Sequence, residues 1–364
     1  MMDGELGEDL LTEVLVRLPH KSLARFQCVS TTWRALISGD YLRRRLPLIT
    51  SGVLFHDGPP RPGKQAYTYA CASPSSSAQD GVEDRGGSGV EEADMGFFPC
   101  HATSSIIDGC NGLLLYYAAR AAFHVVNPTT RRWAALPAPR QRTLLSVLAF
   151  DPCASPHYKV VCFARWLPRG ACVEVFDSES GAWRERELDF GIDTDAMSAT
   201  MHCSGAAIHV LAYSGHVVRI DLAGTGMACA VTALPAPVSY RARAGHCRGR
   251  LRYASSDGAR LSLWELRDAE GSQSQWALKH ELGVRDLVSC DASGTCQSNK
   301  TFLFMAFHPE KEVVYLWTPG KLVAFDLEQR RVVGESVFGS DREGAQLIQI
   351  WLFPFSRHLA SCLA

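Results

Sequence analysis

Apolar residues near the start of the chain recur with helical spacing. Leu10, Leu11, Val14, Leu15 and Leu18 fall on one side of a 3.6-residue turn, which predicts a helix from Glu8 to Arg17. Glu8 and Asp9 stand in its first turn, where negative charge suits the helix dipole. Leu18-Pro19 ends it, because the proline ring disfavours helix in the residue before it. A short second helix is predicted over Ser22–Phe26. Ser30 is a natural N-cap for a third, with Trp33, Leu36 and Ile37 along one side.

Beyond Pro47 the apolar runs become short and β-rich, separated by Gly, Pro, Asn and Asp. Val125-Val126-Asn127 leads through a turn to Trp133, and Val173 to Asp177 leads to Trp183. Val217 to Asp221 precedes a Gly-rich turn, Leu261 to Arg267 leads to Trp276, and Leu322 to Asp326 runs into Glu328-Gln329-Arg330. The equivalent positions Asn127, Asp177, Asp221, Arg267 and Asp326 are 50, 44, 46 and 59 residues apart. A period near ~45 with several short strands in each points to a β-propeller of four-stranded blades. The expected fold class is therefore a small all-α segment of three short helices followed by an all-β propeller of six blades, with seven as the alternative. Strand Leu347–Phe353 is expected to pair with Ile49–Phe55, which would close the ring and remove an exposed edge.

The domain boundaries follow from the same texture. Residues 1–47 form the helical segment, 48–71 the first propeller strands, and 97–364 the main body of the propeller. Residues 72–96 interrupt the pattern with no aromatic residue, six acidic residues against one Arg, and much Ser and Gly. Such a segment buries too little apolar surface to offset its ordering entropy, so a disordered loop is expected.

Charge and cysteine usage narrow the function. Across 364 residues, 37 Lys and Arg face 38 Asp and Glu, giving a net charge of −1 and no general attraction to nucleic acid or anionic lipid. No apolar run approaches ~18 residues, so no membrane span is expected. The 13 cysteines are scattered singly, with no C-x-x-C pair, and the acidic amino terminus lacks a signal-peptide pattern. An intracellular, reduced protein of the nucleus or cytoplasm is expected.

Residues 6–42 resemble an F-box, the helical motif that docks on the Skp adaptor of Skp–cullin–F-box ubiquitin ligases. Leu10-Leu11, Val14-Leu15, Leu18-Pro19, Lys21-Ser22-Leu23, Val29-Ser30, Trp33-Arg34 and Leu36-Ile37 fall in register, with departures at Gly7 and Asp40. Residues 97–353 resemble the F-box-associated propeller of plant F-box proteins, through Asn111-Gly112-Leu113-Leu114, Asn127-Pro128-Thr129-Thr130, Phe150-Asp151-Pro152, Tyr158 to Val161 and Ser180 to Trp183. The resemblance implies a non-catalytic substrate-recognition subunit, with the adaptor, a cullin ligase and an unknown protein target as partners. Adaptor contact is then expected from Leu6, Leu10, Leu11, Leu15, Leu18, Pro19, Leu23, Val29, Trp33 and Leu36. Three short helices cannot cover all their large apolar residues, so Leu11, Leu15, Pro19 and Trp33 are expected on an exposed apolar face of the kind that marks a partner site.

Catalytic and cofactor motifs are lacking in the sequence: there is no H-E-x-x-H, G-x-S-x-G, Walker A or G-x-G-x-x-G pattern. No cofactor or metal is expected. His202 and Cys203 are adjacent, which suits strand alternation better than shared metal ligation, and Cys110 has no partner legible in sequence. Asp151, Asp177, Asp221 and Asp326 follow strands and suit turns, where Asx side chains bond their own backbone. One charge cluster stands out: Arg241, Arg243, His246, Arg248, Arg250 and Arg252 occur without an intervening acid. Arg241, Arg243 and Arg248 are the candidate target-binding residues, expected together at one mouth of the propeller. The alternative function is a propeller hydrolase or carbohydrate binder with an incidental helical leader.

Overall fold

The computed structural model describes residues 8–18, 20–38, 50–57, 67–71, 91–92, 95–101, 103–118, 122–128, 130–152, 154–194, 197–224, 226–239, 241–267, 275–283, 302–318, 321–337 and 347–354. Leu6, Pro19 and residues 72–90 of the acidic segment lie outside this set. Three helices open the chain: α1 (Glu8–Val16), α2 (His20–Val29) and α3 (Thr31–Ser38). Leu15, Leu23 and Ile37 are buried between them, with Leu11, Leu18, Phe26, Trp33 and Leu36 packed around. The rings of Phe26 and Trp33 meet edge to face at 4.8 Å, a favoured aromatic geometry.

The strands that follow form antiparallel sheets. The first blade is β4 (Ser104–Cys110), β5 (Leu113–Ala118), β6 (Ala122–Asn127) and β7 (Arg132–Ala135); the short strands β1 (Thr50–Asp57), β2 (Tyr67–Cys71) and β3 (Glu91–Glu92) precede it. The second comprises β8 (Leu145–Ala149), β9 (Lys159–Leu167), β10 (Gly170–Asp177) and β11 (Ala182–Asp189). The third is β12 (Met197–Ser204), β13 (Ala207–Ala212), β14 (His216–Asp221) and β15 (Cys229–Ala233). The fourth is β16 (Arg243–Cys247), β17 (Arg250–Ser256), β18 (Arg260–Arg267) and β19 (Gln275–Gly283). The fifth is β20 (Leu303–Phe307), β21 (Val313–Thr318), β22 (Lys321–Asp326) and β23 (Arg331–Val337). Finally β24 (Leu347–Pro354) joins β1, β2 and β3 in a closing sheet of order β24-β1-β2-β3. The innermost strands β4, β8, β12, β16, β20 and β24 touch in succession around a ring.

The expected fold class is corrected on two points. The three helices are not evenly separated, because α2 and α3 run on almost without a break. α2 reaches Val29, well past the anticipated Phe26, and only Ser30 parts it from α3; the Ser30 carbonyl at once accepts the Arg34 N–H at 2.9 Å. Nor is the ring a set of six or seven equivalent repeats. Five blades are each made from consecutive strands, and the closing sheet is a composite of both ends of the chain, with Val53 opposite Leu352 and Leu54 opposite Trp351. An average repeat length cannot foresee this division, because the closing sheet is assembled from segments almost the full length of the chain apart. Glu91–Glu92, expected within the disordered loop, is instead a strand paired to β2.

The core lies in the seams between blades rather than within any one sheet. Between the second and third blades, Val161, Phe163 and Val173 pack on Ile208, Val218 and Ile220, all 0% exposed. Burying each such side chain contributes about 1.5–3 kcal/mol. Trp183 and Trp276, the repeated tryptophans, open the outermost strands of their blades and donate to Pro137 O at 2.7 Å, in the linker after β7, and to Ala233 O at 2.8 Å, at the end of β15. Asp177, Asp221 and Asp326 accept backbone N–H bonds two residues on, at 2.8–2.9 Å, and so fold the turns after β10, β14 and β22. Asn111 and Gly112 both have positive φ, 45° and 89°, as the tight turn between β4 and β5 requires.

Ions hold the fourth and fifth blades together. Arg252 on β17, 1% exposed, meets Glu265 of β18 at 2.6 Å and Glu312, in the turn before β21, at 2.7 Å. Lys279 of β19 reaches the same two carboxylates at 3.3 and 2.8 Å. Burial alone would raise the Glu312 carboxyl; the hydrogen bonds and charges of Lys279 and Arg252 outweigh it and hold the pKa at about 2. Two carboxylates therefore depend on one buried guanidinium. Replacing it (Arg252→Met) leaves Glu265 and Glu312 facing only lysine and rim cations, and should cost about 3–5 kcal/mol in urea unfolding.

Candidate functional site

Three parts of the molecule carry candidate chemistry. The helical segment presents apolar side chains to solvent: Leu10 is 61%, Val14 50% and Val29 73% exposed. Leu10 and Val14 are four residues apart on α1 and so share a face. Of the other residues expected at the adaptor surface, Leu15 and Leu23 are buried inside the bundle, contrary to the exposure expected of Leu15. Leu11, Leu18, Trp33 and Leu36 are half-buried at its edge. Val14 was absent from the expected contact set, yet its i, i+4 spacing from Leu10 was available in the sequence.

The arginine cluster is not a cluster. β16 and β17 form a hairpin, in which Gly245 pairs with Arg252 and Cys247 with Arg250. Arg241 and Arg243 stand at the start of β16, on the face of the ring from which the innermost strands begin. Arg248 sits in the Arg248-Gly249 turn at the far end, where its N–H donates to Pro309 O at 2.6 Å and its Nε to Glu310 O at 3.2 Å. At roughly 3.3 Å per residue the two ends of the strand are about 15 Å apart. Arg252 is buried in the ion network already described. The expectation that Arg241, Arg243 and Arg248 line one mouth is therefore corrected: a strand of five residues separates them. Arg243 is half-buried, which lowers its pKa, and the Tyr213 hydroxyl beside it acts in the opposite sense. Tyr213 is 54% and Leu144 55% exposed, and both belong to connections on this same upper face. A groove of about 660 Å³ opens nearby between Trp166, Arg169, Gly191, Asp193 and Thr194.

The opposite, lower face gathers histidines and thiols at the ends of the innermost strands. His202 of β12 and His246 of β16 share a hydrogen bond, Nε2 to Nδ1, of 2.7 Å. Cys110 donates to Phe150 O at 3.3 Å, and Cys203 of β12, two blades further on, lies against Cys110. Hydrogen bonding to Cys110 and burial push the Cys203 thiol up, which opposes a thiolate nucleophile. Among the described residues no group of three or more His, Cys, Asp or Glu side chains is arranged to hold a metal ion. No helix among them is long and apolar enough to cross a membrane.

The histidines have a further consequence. Burial lowers the pKa of His202, His246, His209 and His308, with His209 and His308 falling to about 4 from 6.5. His308 Nδ1 accepts the N–H groups of Glu310 and Lys311 at 3.0 and 3.1 Å, a role open only to an unprotonated ring nitrogen.

With the geometry described, the class is defined: a short helical segment with an exposed apolar face joined to a β-propeller, as in F-box proteins of the propeller type. The chain belongs to the family described as F-box protein At3g26010-like, beta-propeller, whose model matches residues 95–344, and an F-box domain model matches residues 5–45. It is similar to F-box protein At5g07610 of Arabidopsis thaliana, 32% identical over 199 residues, which cover 49% of this chain and 44% of that protein. The match thus spans less than half the length of that relative. The putative F-box/kelch-repeat protein At1g15680 of the same plant is 24% identical over 361 residues, covering 90% of this chain and 83% of that one.

Because the folded rings refuse protons that the unfolded chain accepts below pH 6.5, stability is fully present above that pH and is lost as pH falls through about 4. The melting temperature should decline steadily from pH 7 to pH 4.5. An H308N variant, whose amide oxygen can still accept both backbone bonds, should show a shallower decline than the wild type.

Proposed function

We propose that this chain is the substrate-recognition subunit of a Skp–cullin–F-box ubiquitin ligase, its helices docking on the Skp adaptor and its propeller holding the target protein. The observation that carries this reading is the union in one chain of an F-box at residues 5–45 with a propeller at residues 95–344, the helices leaving Leu10, Val14 and Val29 open to solvent. Exposed apolar groups on a short helical bundle suit helix docking on a partner. In this reading Leu10, Val14 and Val29 make the direct contact, with Leu11, Leu18, Trp33 and Leu36 around them; Leu6 and Pro19, outside the described residues, are assigned to the contact from the sequence alone. Leu15 and Leu23 act by holding the helices together.

The chain itself performs no bond chemistry in this role. Its contribution is proximity, which raises the effective concentration of target lysines at a conjugating enzyme brought by the cullin. Action in the nucleus or cytoplasm, without nucleic acid or membrane as partner, goes with this reading and with the near-zero net charge. Target contact is proposed on the upper face, where Arg241 and Arg243 stand with Tyr213 and Leu144; arginine and tyrosine are the side chains most often found as anchors in protein interfaces.

Two experiments test these assignments. Co-expression with a Skp adaptor should recover a stoichiometric complex with the wild type, and an L10D/V14D variant should lose at least 100-fold in affinity while its propeller melts unchanged. Equal recovery of the variant would exclude this helical face. Target capture, measured by proximity labelling with the proteasome blocked, should fall at least tenfold in R241A/R243A and persist in R248A.

A further inference from the structure

We infer that the seam between the second and third blades holds an anion site built for a phosphate group. It stands apart from both surfaces above and does not depend on the adaptor reading. The observation begins with β11, whose sequence Arg184-Glu185-Arg186-Glu187 alternates in charge. Strand alternation sends the two signs to opposite faces of the sheet. The acids go to one side, where Glu185 accepts Gln141 Nε2 at 2.8 Å. The arginines go to the other, where Arg184 lies opposite Val175 and Arg186 opposite Val173, both on the side packed against the third blade.

There they rim a small cavity of about 60 Å³ together with Lys159, Asp177, Leu222, Gly224 and Met227. Its floor is apolar: Val175, Leu222 and Met227 are all buried. Lys159 is drawn to it by a 2.8 Å bond from its Nζ to Leu222 O, which leaves two ammonium hydrogens for a guest. Asp177 is committed in part to its own turn, accepting the Glu179 N–H at 2.9 Å. Among the described residues neither Arg184 nor Arg186 has an acidic partner.

Three cations and one carboxylate give the cavity a local charge of +2, and its volume of about 60 Å³ admits only a small guest. A phosphate monoester or inorganic phosphate matches both: it is a compact tetrahedral dianion near neutral pH, with oxygens spaced for guanidinium forks. A single carboxylate would satisfy only one of the arginines. The apolar floor strengthens the attraction by keeping solvent from one side of the ion.

The site can be tested by calorimetric titration of the full-length chain with inorganic phosphate at constant ionic strength. One saturable site is expected, with affinity reduced at least tenfold in R184Q/R186Q and several-fold in K159Q, while the melting temperature of each variant stays within a degree or two of wild type. Non-saturable heats, or equal affinity in R184Q/R186Q, would overturn the assignment. A paired titration with a phosphoserine peptide and its unmodified counterpart separates the sources. Tighter binding of the phosphopeptide than of free phosphate, lost in the same variant, assigns a protein-borne phosphate. Weaker binding than phosphate assigns the free ion.

Discussion

A ring of β-sheets has no open edge only if its two ends share a sheet, and that constraint governs the molecule. β1 lies beside β24, so a strand that follows the helical segment is held by the last strand of the propeller. Unpaired strand edges invite association with other chains, and closing the ring removes two of them. Closure also brings β24 against β4 and β20, so each innermost strand has a neighbour on both sides. The seams between blades then become continuous, and the core can reside in them.

The seams are not uniform. Between the second and third blades the buried contact is aliphatic and aromatic, with charged side chains gathered at its rim, whereas the fourth and fifth are joined by Arg252, Glu265, Glu312 and Lys279 as well as by the apolar cluster around Leu263 and Leu316. A buried ion network is geometrically exacting: it is stable only with every partner in place. Gly245 adds a steric requirement at the same seam, since a Cβ there would come within 2.5 Å of the Phe307 ring. The buried histidines, neutral in the folded state, tie the lower face to pH in the same sense as the depressed carboxylates of this network. Both lose their contribution as pH falls, the histidines first.

Near-neutral net charge conceals a sorting of charges by strand geometry. In the β16–β17 hairpin, five arginines close together in sequence are dispersed to the two faces of the ring and into a seam. In β11 the opposite happens: an alternating run that reads as self-neutralising is split into an acidic and a basic face. Sequence proximity therefore overstated one basic site and concealed another. The reason is that an inner strand crosses the whole thickness of the ring within about five residues, and each successive side chain points the other way.

The amino-acid sequence by itself determined the helical opening and the recurrence of strand, Asx turn and tryptophan, because each is written in local spacing and residue type. Asn111-Gly112 specified its turn, and Asp177, Asp221 and Asp326 specified theirs, through bonds that reach only two residues along the chain. What only the tertiary structure decided was which neighbours those elements meet. It buried Leu15 and Leu23 while leaving Leu10, Val14 and Val29 exposed, joined α2 and α3 through Ser30, and made five blades from consecutive strands with a composite sheet to close them. It also placed Arg252 among carboxylates 13 and 60 residues away in sequence. Burial and charge pairing are properties of surfaces brought together from distant parts of the chain, and no local pattern encodes which surfaces those will be.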